Sequence, residues 1–391
     1  MKLRKAFRLF FNSQKATGII LILCTAVSIG LSNAVGFSGY AGFWHCGFST
    51  GLEALHLPDS PVEVINDFLM ALFFLLAGLE IKREVLSGEL SSLQRASLPV
   101  AAAAGGMVVP ALIYSIFNHG TPQESGWGIP MATDIAFAIG ILSLLGNRVP
   151  DSLKLLLTAI AVADDLGAVL VIALFYTDTL AVGPLLFAGG ILCLLYLMNR
   201  RKVKRLWPYL LGGMGLWYTV HLSGIHATVA GVLLAMMIPY DASTASDPLE
   251  RLETGLHLPV NRFILPLFAL ANTAIVLADD SLGALTNSAG IGIMTGLVIG
   301  KPLGILLAIF ISVKAGFSRL LEGIGYRELL GAGLLGGIGF TMSIFIALLA
   351  FDDPALTEPA KAAILAGSAL SGVAGYLYLN KILPPSANQL R

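Results

Sequence analysis

Residues 159–170 read AIAVADDLGAVL. Two adjacent aspartates, Asp164 and Asp165, interrupt a stretch that is otherwise almost wholly apolar. The apolar run extends both ways, over 153–176, and exceeds the roughly 20 residues that a bilayer-crossing helix needs. Carboxylates are costly in hydrocarbon, so ionisable groups at such depth face a bundle interior or an aqueous cavity and are functional candidates. Asp164 lies ten residues beyond Lys154, or about 15 Å along a helix, close to the midplane. Adjacent helical residues point about 100° apart, so the two carboxylates do not meet one ion from a single face.

The rest of the chain has the same character. Of 391 residues, 56% are hydrophobic and 12% charged, against about 25% charged in a soluble domain. The expected class is an all-α polytopic membrane protein forming one integral domain over 1–391. A formal net charge of zero removes the basic surface that a nucleic-acid partner would require. Cys24, Cys46 and Cys193 are scattered. Their odd number and the lack of C-x-x-C or His/Cys spacing argue against a disulfide framework or a metal site, and leave them as core residues.

Twelve candidate spans are counted: 17–35, 62–81, 96–117, 127–146, 153–176, 181–199, 206–221, 223–239, 259–278, 288–313, 328–350 and 359–380. The segment 240–258 (with DPLERLETGLH) is expected to be partly helical. Lysines and arginines set the orientation. Five precede the first span. Alternate loops hold Lys82, Arg83 and Arg95; Arg148 and Lys154; Arg200, Arg201, Lys202, Lys204 and Arg205; Arg251 and Arg262; and Lys314, Arg319 and Arg327. Two more follow the last span, so 22 of the 24 lie on one face. Of the other two, Lys361 lies in an opposite loop and Lys301 lies within a span. Both termini are therefore expected in the cytoplasm. Ser32-Asn33-Ala34 imitates a signal-cleavage site, but the apolar run before it is long for a signal peptide and is expected to remain as the first span.

Three acids lie deep: Asp134, Asp164 and Asp165. Lys301 sits within GIMTGLVIGKPLGILLAIF. A buried Asp–Lys pair that merely locks two helices is the plainer alternative. Residues 126–140 read GWGIPMATDIAFAIG, with a helix-disrupting Pro130 one turn before Asp134. Residues 336–347 read GGIGFTMSIFIA, a glycine-interrupted span. An ungapped match of 128–138 with 337–347 pairs Gly128 with Gly337 and Ile129 with Ile338. Each is the middle span of a possible three-span unit, 96–176 and 288–380. Interrupted spans in oppositely oriented units point to a transporter's ion site, whereas glycines alone also serve close helix packing.

ATDIAFA (132–138), AVADDLGA (161–168), GLEIKRE (78–84), GIHATVAG (224–231), GKPLG (300–304) and GGIGFTMSIFIA together resemble the NhaA-type bacterial sodium/proton antiporter family, over nearly the whole chain. The resemblance implies twelve helices with inverted repeats and two discontinuous helices. It makes Asp164 the principal carrier of cation and proton and Asp165 its neighbour, with sodium held at Asp164 and Asp165. Thr133 and Asp134 fall at the break of the fourth span, and Lys301 pairs with Asp164. Glu80, Arg83, Glu84, Glu253 and His257 become pH-response positions, with His226 a further one. The family implies no cofactor, no enzyme activity, electrogenic exchange of cytoplasmic sodium or lithium for external protons, and a homodimer in the bacterial inner membrane. Alternating access would move the broken-helix unit against the other spans. An intramembrane aspartyl protease would need Asp134 as the partner of Asp164 in a facing dyad. A retinal pigment would use Lys301 as its Schiff-base amine. A channel would conduct without counter-transport.

Overall fold

The computed structural model describes residues 14–35, 37–48, 57–177, 180–241, 247–276, 281–321 and 323–384. Among these residues every regular element is helical. The principal helices are α1 (Gln14–Val35), α2 (Pro61–Ser87), α3 (Leu93–Asn118), α4 (Ile135–Leu144), α5 (Asp151–Phe175), α6 (Val182–Arg200) and α7 (Trp207–His221). They continue with α8 (Val229–Met237), α9 (Pro248–Pro259), α10 (Leu265–Asn272), α11 (Ser288–Lys314), α12 (Tyr326–Gly336), α13 (Phe340–Ala350) and α14 (Pro354–Ile382). Several begin on the cap chemistry their sequences carry. The Asp247 carboxylate accepts from the Glu250 N–H ahead of α9, Ser60 from Glu63 ahead of α2, and Ser92 from Arg95 ahead of α3. Pro61, Pro248 and Pro354 stand in the first turns, where a missing N–H costs nothing.

Among the described residues eight helices are long and apolar enough to cross a membrane, and the bent pair α12–α13 makes a ninth. The remaining three expected spans, 206–221, 223–239 and 259–278, correspond to the shorter helices α7, α8 and α10, the last preceded by a wide turn over Val260–Ile264. The stretch between α7 and α8 turns at Gly224, whose φ is +84°. Residues 277–278 of the ninth expected span, and the basic residues before position 14, lie outside the described residues. α6 leaves Leu186 and Phe187 more than 70% exposed, a face suited to lipid. The chain is an all-α polytopic membrane protein. The cysteines depart from expectation. Cys46 and Cys193 are exposed and Cys24 is half-buried; for Cys24 and Cys193, on α1 and α6, an apolar side chain suits a lipid-facing position as well as a core.

The chain divides into two compact units. One comprises Met1–Ala26, Glu89–Ala168 and Ile275–Arg391; the other comprises Val27–Gly88 and Val169–Ala274. In the first, α3 packs on α11. A Cβ built on Gly105 would lie 2.2 Å from the Gly304 carbonyl oxygen, and one on Gly304 2.1 Å from the Gly105 oxygen. The two backbones meet only because neither residue has a side chain. In the second unit α2 packs on α8, and Gly231 allows the same approach to the Ala71 carbonyl. Leu75, Leu79, Tyr209, Leu216 and Leu234 form part of that unit's core. Lys82, near the end of α2, donates to the carbonyls of Ala235, Met236 and Ile238, so its charge satisfies the C-terminus of α8.

Candidate functional site

The site of the first unit starts from two helix breaks. Pro130 lies near the end of a tight 3₁₀ turn over Glu124–Met131, after which Ala132 (ψ 151°) and Asp134 (ψ 98°) are extended. The second break separates α12 from α13, whose axes differ by 50°. The backbones are joined at these breaks. The Asp134 N–H donates to the Ile338 carbonyl at 2.7 Å. The Thr133 hydroxyl donates to Gly336 at 2.8 Å, and the Ser343 hydroxyl to Ile129 at 2.7 Å. Broken backbone in a membrane must find such partners, because no water is there to supply them.

Asp134 is 2% exposed and both of its oxygens are engaged. Oδ1 accepts from the Phe137 N–H at 3.0 Å, in the first turn of α4. Oδ2 accepts from the Thr341 N–H at 3.2 Å and the Thr341 hydroxyl at 2.5 Å, in the first turn of α13. One carboxylate thus serves the positive ends of two helices. Its hydrogen bonds are already spent, so it does not offer the shared proton that a dyad with Asp164 would require.

Asp164 and Lys301 are the second pair. Lys301 Nζ lies 2.5 Å from Asp164 Oδ2, and also donates to the Met131 carbonyl at the first break. Their exposures are 0% and 1%. The lysine follows a widened turn over Gly296–Gly300. Pro302, which has no N–H, cannot close the ordinary bond four residues back and contributes to that widening. Asp164 Oδ1 is buried and accepts no hydrogen bond among the described residues. Thr133 stands close enough for its hydroxyl to act on the carboxylate, while its hydrogen goes to Gly336. Asp165 is 6% exposed, and its charge reaches Lys301. Thr133, Asp134, Asp164, Asp165 and Lys301 therefore all belong to one unit. Oxygen atoms for a hard cation are available at Asp164 Oδ1 and the Thr133 hydroxyl.

The other expected positions belong to the second unit. Glu80 Oε1 lies 3.2 Å from His257 Nε2, and Glu253 Oε1 lies 3.9 Å from it. Arg83 Nε lies 3.2 Å from Glu253 Oε2, and Arg83 also contacts Glu84 at 3.4 Å. The Glu253 carboxylate holds the His257 imidazole above its ordinary pKa of 6.5, with the charge of Glu80 acting the same way against partial burial. His226 is elsewhere. Its Nε2 lies 4.0 Å from Asp67 Oδ1, and Asp67 precedes Glu80 by thirteen residues, about 20 Å along α2.

Sequence reasoning missed Asp67, which is partly buried between His221 and His226, because it falls near the start of a span. It also missed Thr341, Ser343 and the Met131 carbonyl. A threonine and a serine just after a glycine break were the available signal for the first two. The ungapped match of 128–138 with 337–347 does not align the breaks. It sets Gly337 opposite Gly128, ahead of the extended residues at 132–134.

The sequence matches the family model described as Na+/H+ antiporter 1 over residues 8–379. It is 49% identical over 388 residues to Na(+)/H(+) antiporter NhaA 1 of Flavobacterium johnsoniae, covering 99% of this chain and 100% of that one. It is 48% identical over 391 residues to Na(+)/H(+) antiporter NhaA of Cytophaga hutchinsonii, covering 100% and 99%. It is 50% identical over 383 residues to Na(+)/H(+) antiporter NhaA of Dechloromonas aromatica, covering 97% and 96%. The chain belongs to the Na+/H+ antiporter 1 family, a family of transporters rather than enzymes.

Proposed function

We propose that this chain is a secondary antiporter exchanging cytoplasmic sodium, or lithium, for external protons. The observation that carries the reading is Asp164, a buried carboxylate with Oδ2 on Lys301 and, among the described residues, no hydrogen bond to Oδ1. Carboxylate oxygens bind small hard cations and also bind protons. Competition at one carboxylate couples the two fluxes without ATP. A cation arriving at Asp164, with Asp165 beside it, displaces the Lys301 ammonium; cation release lets the pair re-form. Thr133 adds an oxygen, and Asp134 holds the two breaks in place rather than carrying the ion. Two acids and a lysine allow more than one proton per cation, and the family resemblance supports an electrogenic exchange.

The charge asymmetry of the loops supports an inner-membrane protein with both termini in the cytoplasm. A break within the middle span of each three-span unit, 96–176 and 288–380, supports reading them as inverted repeats. The family resemblance supports a homodimer. Glu80, Arg83, Glu84, Glu253 and His257, with His226 apart from them, are the candidates for pH control. Their mutual ion pairs meet at an imidazole held above its ordinary pKa of 6.5, and favour that role.

The experiment is sodium-induced dissipation of a preformed ΔpH in proteoliposomes between pH 6 and 9. Antiport predicts a saturable, sodium-dependent proton flux in the native chain and its loss in folded Asp164→Asn. No sodium-dependent proton movement at any pH in the native chain would overturn the reading.

A further inference from the structure

Glu253 and His257 stand four residues apart on α9 and so share one helical face. α2 brings Glu80 to that face. One oxygen from each glutamate and the His257 nitrogen all lie within 4.8 Å of one another. Zinc bonds such atoms at about 2.0–2.2 Å in a tetrahedral array, which sets neighbouring ligand atoms about 3.3–3.5 Å apart. The Glu80–His257 edge, 3.2 Å, is within about 0.1 Å of that range, and the Glu253–His257 edge, 3.9 Å, must shorten by about half an ångström.

The surroundings suit this use. Glu253 divides its oxygens: Oε1 faces His257, while Oε2 lies 3.2 Å from Arg83 Nε. Arg83 can therefore orient the carboxylate without leaving it. Asn261 Nδ2 lies 3.4 Å from His257 Nδ1. With its amide turned, Asn261 Oδ1 accepts from Nδ1–H and leaves the Nε2 lone pair for a metal, the outer partner that a metal-bound imidazole requires. The His257 side chain is 49% exposed, which gives an ion a way in from solvent. Two carboxylates balance a dication, and an imidazole in the donor set selects a first-row transition metal over sodium or magnesium.

We propose that Glu80, Glu253 and His257 form a binding site for a divalent transition-metal ion of the zinc class, which ties α2 to α9. The cysteine and histidine spacing of the sequence gave no hint of it, because the ligands come from helices more than 160 residues apart.

The test titrates ZnCl2 into the purified full-length protein in detergent by calorimetry, with CoCl2 as an optical probe of tetrahedral coordination. The native chain should take up one ion per chain saturably, show the visible cobalt band, and melt at a higher temperature with zinc present. Glu80→Gln and His257→Gln should each weaken binding by about tenfold or more. His119→Gln, which removes the exposed His119–Glu124 pair, should leave binding unchanged. A metal-free melt of each variant matching the native chain separates ligand loss from misfolding, and the zinc-induced rise in the native melt stands without any variant. No saturable uptake by the native chain, full retention in His257→Gln, or loss in His119→Gln would overturn the proposal.

Discussion

Replacing Lys301 by methionine keeps most of the side-chain volume and removes one ammonium. That ammonium holds Asp164 Oδ2 and the Met131 carbonyl, at a position where Lys301 and Asp164 are 0% and 1% exposed. Both groups are closed off from bulk solvent. Removing one partner of such a buried pair costs about 3–5 kcal/mol, because the other is left uncompensated. Asp164→Leu should cost about as much for the same reason. The double variant D164L/K301M leaves neither charge stranded. Its expected cost is the unsatisfied Met131 carbonyl alone, about 1–3 kcal/mol. The singles together should therefore exceed the double by several kcal/mol. Unfolding in mixed micelles of rising SDS fraction, followed by tryptophan fluorescence, measures all four species. If the single costs sum to the double cost within about 0.5 kcal/mol, the two residues do not form an energetic pair, and the reasoning fails.

Thr341→Val removes both a hydroxyl and its bond to the Asp134 carboxylate, and should cost about 1.5–3 kcal/mol in the same unfolding assay, with Thr341→Ser recovering most of it. Gly105→Ala drives a methyl to within 2.2 Å of the Gly304 oxygen and should cost at least about 1–3 kcal/mol through forced separation of α3 and α11, whereas Gly189→Ala, with open space around its Cβ, should not destabilise. For His257 the folded pKa is raised above 6.5 by the carboxylates of Glu253 and Glu80. Its stabilisation is therefore fully present below 6.5 and is lost as pH climbs through the higher folded value. The melting-temperature difference between native protein and His257→Gln should be largest below pH 6.5 and shrink above it; a difference that grows with pH contradicts the assignment.

Much of the architecture was legible because hydrocarbon imposes simple rules on a chain. Apolar runs such as 96–117 and 359–380 appear as α3 and α14, since a long apolar run can satisfy its backbone in a bilayer only by being helical. The break at Pro130 was visible because proline lacks an N–H, and the break near Gly337 because glycines cluster there. The shortness of three helices was harder to foresee: composition near 223–239 and 259–278 is largely apolar, and a turn such as Gly224 barely changes it.

For the candidate site, sequence alone identified the ionisable residues, since charge stands out against an apolar background at Asp134, Asp164, Asp165 and Lys301. The family resemblance supplied the pairing of Lys301 with Asp164, but nothing in the sequence assigned the partners of Asp134. That Asp134 caps α4 and α13 while Lys301 takes Asp164 depends on contacts across 207 and 137 residues of chain. Depth and helix type follow from local composition and the low dielectric of the bilayer, whereas partnership follows from which backbones can approach closely, as Gly105 and Gly304 do. Which residues may meet is set by that packing, and only the folded chain decides it.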